Sequence, residues 1–219
     1  MAFPNSLQDA AFENLRIIRT LMERAHIYRA VSAPAALMGG LLAMLLAGYE
    51  WSQASTNGAL DPLAFLGSWM ALLAITSGLN FVLLLKDSRG SGQPWFSEPM
   101  KMALRAFLPP MLAGGVLGVR LMWGGGALLS LGAVTWILCY GLALLATAGF
   151  APRSMVRLGW AFLTAGVALT LCTALGHSGL ADLPDRDAPL FLGLTFGGLH
   201  LVYGVAVLRR GATVPVVLA

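Results

Sequence analysis

The chain has 219 residues, of which 58% are hydrophobic, and it carries only 14 basic and 10 acidic residues. Because ordinary soluble domains are about 25% charged, this composition and a mean hydropathy of +0.76 leave no room for a sizeable soluble domain and indicate a multi-span membrane protein. The basic residues gather at the ends of apolar segments, so the net charge of +4 indicates membrane topology and contact with anionic lipid, and not nucleic-acid binding.

Residues 1–30 are predicted to form an amphipathic helix that lies on the membrane surface. Apolar residues such as Leu15 fall near one face of this helix, whereas Arg16, Arg19 and Arg24 occupy the rest and are expected to contact lipid headgroups. A helix packed under the loops of the bundle is the alternative interpretation. Polar residues precede the first apolar segment, which is the wrong order for a cleavable signal peptide.

The first span is predicted from Ala30 to Tyr49, and the stretch from Glu50 to Asp61 is interpreted as a loop. Asp61 and Pro62 form a predicted N-cap followed by proline at the first helical position of the second span, which ends at Leu85. With these bounds no acidic residue lies within a span. That absence argues against a proton- or sodium-coupled transporter, which usually needs an intramembrane acid.

The third span contains Pro109 and Pro110, which should kink it because each proline removes a backbone donor. Gly114 and Gly118 are four residues apart in the same span and are predicted to allow close packing against another helix. Arg105 lies before the prolines and is expected to extend its guanidinium towards lipid headgroups.

The fourth and fifth spans are predicted at about Ala127 to Phe150 and Val156 to Leu175. Asp187 is predicted to cap the sixth span, with Pro189 in its first turn. The sequence therefore predicts an all-α bundle of six transmembrane helices over residues 31–210, followed by a C-terminal tail of residues 211–219.

The basic residues predict the orientation of the spans. With the N-terminus in the cytoplasm, twelve of the fourteen basic residues fall on the cytoplasmic side and two, Arg120 and Arg186, fall outside. Since cytoplasmic loops are enriched in lysine and arginine, both termini are predicted to be cytoplasmic. The expected location is a cytoplasmic (inner) membrane that the chain crosses six times.

The last span holds His200, which is the only ionisable side chain predicted near the middle of the membrane. Gly193, Gly197 and Gly204 share a helical face with His200, and such small-residue faces are typical of packed intramembrane helices. Tyr203 is one turn further on and is the nearest hydrogen-bond partner within the span. Four roles for His200 remain open: axial ligand to a haem or chlorophyll-type pigment, proton relay, substrate contact, and hydrogen bonding to a neighbouring helix.

The remaining polar residues are predicted to support helix packing and not catalysis or metal binding. Asn80, with Ser77 on the same helical face, is expected to hydrogen-bond a neighbouring helix. Cys139 and Cys172 fall inside predicted spans and are expected to be small core residues. No catalytic motif is found, and no set of three or four ligands has the spacing of a metal site.

Several stretches together resemble a family of bacterial multi-span proteins of unassigned activity. They are LMERA at Leu21 to Ala25, WILCYG at Trp136 to Gly141, GFAPR at Gly149 to Arg153 and FGGLHLVYG at Phe196 to Gly204. The resemblance implies a six-span bacterial inner-membrane protein, and it implies that Glu23 and His200 belong to the pattern of the family. It supplies no catalytic residue.

Three functions follow from these observations. The first is a non-catalytic accessory or structural subunit that packs against lipids and against other membrane proteins or a second copy of itself, because small-residue faces are many and polar groups are few. The second is a cofactor-binding subunit that holds a haem or chlorophyll-type pigment at His200. The third is a small-molecule or lipid transporter whose path follows the prolines of the third span.

Overall fold

The structure is a computed structural model that describes residues 11–19, 33–91, 98–123, 128–149, 151–176 and 184–212. Over these residues all regular structure is helical, and no strand occurs among them. The main helices are α1 (Ala33–Asn57), α2 (Pro62–Ser91), α3 (Glu98–Met122), α4 (Leu129–Ala146) and α5 (Arg153–Gly176). A further helical segment, residues 11–19, precedes them. The prediction of an all-α protein is confirmed.

The last span is built from four consecutive pieces. A 3₁₀ turn (Asp185–Asp187) leads into α6 (Ala188–Leu192), a π-helical segment (Gly193–Leu199) and α7 (His200–Ala212). A seven-residue π-helical segment is unusual, because this geometry is rare and is found mostly as single-turn bulges, frequently at functional sites. It ends at the residue before His200, so it sets the direction in which that side chain leaves the helix.

Within the described ranges six helices are long and apolar enough to cross a membrane, as the sequence predicted. Five of them correspond to α1 to α5, and the sixth extends from Asp185 to Arg209. Each has a window of mean hydropathy between 1.3 and 1.9, which suits the roughly 20 apolar residues that a bilayer core needs. The chain is therefore a multi-pass membrane protein by the length and composition of its helices.

The first span is longer than predicted, and this changes the environment of one acid. α1 continues through Glu50 to Asn57, so Glu50 lies inside the span of Ala33–Thr56 and not in a loop. The helix can continue because α2 supplies two hydrogen-bond partners to the Glu50 carboxyl group. The prediction that no acidic residue lies within a span is wrong.

Two predicted helix caps have different outcomes. Asp61 accepts a hydrogen bond from the backbone N–H of Leu63 at 3.0 Å, which confirms the predicted cap of α2. Asp187 forms no side-chain cap, so this prediction is wrong. Asp187 is itself part of the 3₁₀ turn and has helical backbone angles (φ −89°, ψ −11°), whereas a capping residue has non-helical ones. Asp185, two residues earlier, accepts the backbone N–H of Ser130 at 3.2 Å and so ties the 3₁₀ turn to the start of α4.

α4 forms the centre of the bundle and α2 lies at its edge. Half of the spanning window of α4 is buried, whereas only 11% of that of α2 is buried. α4 packs against α3 on one side and α5 on the other, and the last span packs against α1. The fully buried large side chains come from five of the six spans, among them Phe65, Met122, Ile137, Phe162 and Leu192.

The glycines that the sequence marked for packing lie against other helices of the same chain. A Cβ atom on Gly197 or Gly204 would stand 2.6 Å from the side chains of Met44 or Leu37 in α1, and Gly193 lies against Ala47 of the same helix. The other pair lies on α3 and meets two side chains of α4, namely Gly114 against Cys139 and Gly118 against Trp136. These small-residue faces therefore serve contacts inside the bundle.

Gly141 marks a close contact between the backbones of α4 and α5. A Cβ atom there would lie 2.7 Å from the backbone nitrogen of Leu163 and 3.1 Å from the carbonyl oxygen of Gly159. Because backbone atoms cannot rotate away as a side-chain tip can, Gly141→Ala is expected to separate the two helices and to lower the free energy of unfolding by about 1–3 kcal/mol. Denaturation in detergent checks this value.

Gly78→Ala in α2 is the matched control, because nothing lies within 4 Å of that added Cβ atom. Alanine also favours a helix over glycine by up to about 1 kcal/mol, so this control should be neutral or stabilising. Equal destabilisation by both substitutions would contradict the close α4–α5 contact.

Candidate functional site: a chamber among the six spans

A chamber of about 520 Å³ lies between the helices, and all six spans contribute to its wall. This volume falls within the roughly 300–1,000 Å³ that is usual for small-molecule sites, which often lie between the helices of a bundle. The α2 residues that line it extend from Trp69 to Asn80, a distance of about 16 Å along a helix. The chamber therefore extends along the spans over about three helical turns, and this length suits an elongated molecule.

The wall of the chamber is mostly apolar and carries no formal charge. None of the residues that line it is Lys, Arg, Asp or Glu. Alanine and glycine form the α1 side of the wall, and Phe107 and Met111 of α3 line it on either side of the two prolines. α3 is helical without interruption through Pro109 and Pro110. A ligand would meet aromatic and aliphatic surface along most of its length.

Polar groups are concentrated at two places in this wall. On α2, Thr76, Ser77 and Asn80 face the chamber over little more than one helical turn. The Thr76 hydroxyl donates to the backbone oxygen of Leu72 at 2.9 Å. The Oδ1 atom of Asn80 is buried and has no hydrogen-bond partner within the described part of the chain. A buried amide oxygen of this kind is costly, and the polar group of a ligand would relieve that cost.

The second polar place is the contact between His200 and Tyr140. Nδ1 of His200 lies 2.8 Å from the carbonyl oxygen of Phe196, and Nε2 lies 3.0 Å from the hydroxyl of Tyr140 on α4. A carbonyl oxygen can only accept, so Nδ1 carries the hydrogen and Nε2 accepts the Tyr140 hydroxyl hydrogen. Both ring nitrogens of the neutral imidazole are then satisfied.

An aromatic cluster holds this pair in place. Phe162 of α5 has its ring centre 4.7 Å from that of Tyr140, 5.0 Å from that of Phe196 and 5.4 Å from that of His200. Tyr140, Phe196 and His200 line the chamber, whereas Phe162 is fully buried and supports them from behind. The chamber wall at this depth is therefore a packed and defined surface.

This geometry bears on the pigment interpretation of His200. A haem or chlorophyll-type pigment needs the lone pair of a histidine nitrogen, and the lone pair of Nε2 is directed at the Tyr140 hydroxyl. Binding such a pigment would require this hydrogen bond to break. Tyr203, which the sequence placed nearest to His200, is buried in the same span.

Replacing Tyr140 with phenylalanine tests the pair. Tyr140→Phe keeps the ring but leaves Nε2 of His200 buried without its donor, so the free energy of unfolding should fall by about 1–3 kcal/mol. Thermal unfolding in detergent measures the change. Phe196→Leu is the matched comparison, since it trims the same cluster without removing a hydrogen bond. An unchanged melting temperature for Tyr140→Phe would contradict the assigned contact.

Glu50 is the functional candidate that the sequence did not identify, because a single acid at the end of an apolar run resembles the start of a loop. Its side chain is only 6% exposed. Oε1 lies 2.5 Å from the hydroxyl oxygen of Ser68, and Oε2 accepts the indole N–H of Trp69 at 2.7 Å. Trp69 also lines the chamber, so Glu50 contacts the chamber wall from behind.

Most of the other residues that the sequence singled out lie away from the chamber or outside the described residues, and Cys139 is an exception. Arg16, Arg19 and Arg105 are exposed, and Arg24 lies outside the described ranges. Cys139 and Cys172 are free thiols, of which Cys139 lines the chamber and Cys172 is exposed. In the described part of the chain no three histidine, cysteine, aspartate or glutamate side chains come together to hold a metal ion.

Comparison of the chain with protein-family models, with curated proteins and with solved structures found no match.

Proposed function

We propose that this chain is a multi-pass membrane protein that binds an elongated, uncharged amphiphile in the chamber among its spans. The observation that carries the proposal is the chamber itself, which is about 520 Å³ in volume and lined by all six spans without a formal charge. A largely apolar wall with a few grouped polar atoms is the usual form of a small-molecule site. Uptake or transfer of such a molecule is the transport role that fits this site.

The subunit interpretation receives less support from the packing. Its motivation was the small-residue faces of the third and sixth spans, and these faces contact α1 and α4 of the same chain. The pigment interpretation is also weaker, because the Tyr140 hydroxyl engages the nitrogen that would bind the pigment. Contacts within the chain account for the glycine faces, and the hydrogen bond to Tyr140 accounts for the position of His200. Neither a partner chain nor a pigment is needed to explain these residues.

One observation favours a second candidate, a membrane subunit that contacts another protein through α2. Gly67, Ala71, Ala74 and Gly78 follow one face of α2 and are all exposed. Nothing lies within 4 Å of a Cβ atom built on Gly67 or Gly78, and close backbone approach at such faces drives helix association in membranes. Crosslinking from Gly67→Cys in native membranes should then capture a partner, and capture of lipid alone would count against this role.

The proposal also includes the orientation of the chain and the membrane in which it lies. The distribution of basic residues supports an orientation with both termini in the cytoplasm. Residues 11–19 are helical, with Phe12, Leu15 and Ile18 exposed near one face, which supports an N-terminal helix on the membrane surface. The resemblance of four stretches to a bacterial six-span family supports placement in a bacterial inner membrane.

Farnesol is a suitable probe, because it joins an elongated hydrocarbon to one hydroxyl group. The protein is reconstituted in nanodiscs and the binding of tritiated farnesol is measured by equilibrium dialysis against protein-free discs. The proposal predicts saturable binding that approaches one molecule per chain above the partition into lipid. Binding that never saturates, or that equals the value for protein-free discs, would refute it.

A further inference from the structure

Glu50 is buried in an apolar span, and no cation balances it within the described residues. It is the only charged residue of α1. An ionised carboxylate loses several kcal/mol of solvation in such surroundings, and intramembrane acids usually have a functional role. Among the described residues no ion pair reaches Glu50. The ion pair at this end of the bundle joins Arg186 to Asp187 at 3.7 Å.

The neighbouring elements carry few other titratable groups. At this end of the bundle Asp61 accepts the backbone N–H of Leu63, and Asp185 accepts that of Ser130. In the last span His200 lines the chamber and Tyr203 is buried. Tyr140 and Phe196 bind both ring nitrogens of His200. Among the described residues, the hydrogen bonds with Ser68 and Trp69 of α2 are therefore the polar surroundings of the Glu50 carboxyl group.

The ionised and the protonated forms of Glu50 differ in the number of hydrogens available for the contacts of Ser68. The Ser68 hydroxyl oxygen lies 2.5 Å from Oε1 of Glu50 and 2.8 Å from the carbonyl oxygen of Phe65. Both of those atoms are acceptors if Glu50 is ionised, and the hydroxyl has only one hydrogen. One of the two oxygen–oxygen contacts of Ser68 would then have no hydrogen between its atoms. With a hydrogen on Oε1, the acid donates to Ser68, Ser68 donates to Phe65, and Trp69 donates to Oε2.

We propose that Glu50 is a reversible proton-binding site directly behind the chamber wall. The protonated acid satisfies every contact of the Ser68–Glu50–Trp69 network. When the proton leaves Oε1, the Ser68 hydroxyl turns its hydrogen from the Phe65 carbonyl to Oε1, and the carboxylate keeps the hydrogen bond from Trp69. Glu50 lies seven residues before the end of α1, about 10 Å along the helix axis, so the proton has a short path to one membrane surface.

Proton binding at Glu50 should be linked to occupancy of the chamber, and this consequence rests on the proposed function. Trp69 forms part of the chamber wall and donates to Glu50. A ligand that excludes water from beside Trp69 favours the uncharged acid over the carboxylate. By linkage, ligand binding then takes up a proton and weakens as the pH rises, by at most about tenfold per pH unit for one proton.

Infrared difference spectroscopy of the reconstituted protein tests the proton site without any ligand. The wild type should show a carboxylic-acid C=O band that disappears as the pH is raised, and Glu50→Gln should lack that band. Glu50→Gln is expected to fold, because its amide donates to Ser68 and accepts from Trp69 as the protonated acid does. Asp61→Asn is the control and should retain the band.

Absence of the band in the wild type at every pH, or its persistence in Glu50→Gln, would overturn the proposal. Farnesol affinity across the same pH range tests the linkage: it should fall with rising pH in the wild type and stay at the low-pH value in Glu50→Gln. Equal pH dependence in both would overturn the linkage. No farnesol binding at any pH would instead contradict the proposed function, and the infrared result would still decide on the proton site.

Discussion

Phe162→Ala is expected to produce the largest loss of stability of any single truncation in the described part of the chain, about 3–5 kcal/mol. Phe162 is fully buried, and its ring lies at 4.7–5.4 Å from three other rings. Truncation removes these contacts, each worth about 0.5–1.5 kcal/mol for an aromatic pair, and leaves a cavity behind the Tyr140–His200 contact. Unfolding by denaturant in detergent micelles measures the loss.

Trp160→Ala on the same helix is the matched control. Trp160 is two residues away and its side chain is 56% exposed, so its truncation should change stability by less than about 0.5 kcal/mol. Similar losses for the two variants would mean that the aromatic cluster does not organise the bundle. A second readout is farnesol binding, which should weaken in Phe162→Ala because the supported part of the chamber wall loosens.

Filling the chamber is expected to give the largest loss of binding. Gly115 lines the chamber, and nothing lies within 4 Å of a Cβ atom built there. Gly115→Phe therefore places a ring in the space that the ligand would occupy, without forcing helices apart. Farnesol affinity should fall at least about a hundredfold, which corresponds to about 2.7 kcal/mol, while the melting temperature stays close to that of the wild type.

Gly78→Phe controls for the added aromatic ring. Gly78 is exposed on α2 and has open space around it, so this variant should bind farnesol as the wild type does. Wild-type affinity in Gly115→Phe, with the protein folded and saturable binding still present, would place the ligand outside the chamber.

The number and approximate positions of the six spans could be predicted from the sequence, because bilayer thickness imposes long apolar runs. The cap at Asp61 was also predictable, since a capping acid followed by proline is a local signal. Local patterns failed at Glu50. A charged residue at the end of an apolar run usually ends a span, and the hydrogen-bond partners Ser68 and Trp69 on the next helix allow this one to stay inside.

The candidate site depends on contacts that no local pattern encodes. Tyr140 and His200 are 60 residues apart and meet only because α4 lies beside the last span. The π-helical segment Gly193–Leu199 changes the helical register before His200, so an ideal helical wheel misplaces the residues that follow it. Asn80 was recognised as a costly polar residue, but its place in a chamber wall emerges from the packing of all six spans.

The most direct test of the account uses Cys139 as a reporter inside the chamber. In the Cys172→Ser variant, Cys139 is the only thiol and it lines the chamber. The rate at which a small maleimide labels it should fall saturably as farnesol is added, over the same concentration range as equilibrium binding. In the Cys139→Ser variant the exposed Cys172 should be labelled at a rate that farnesol does not change. A Cys139 labelling rate that is unaffected by saturating farnesol would contradict binding in the chamber.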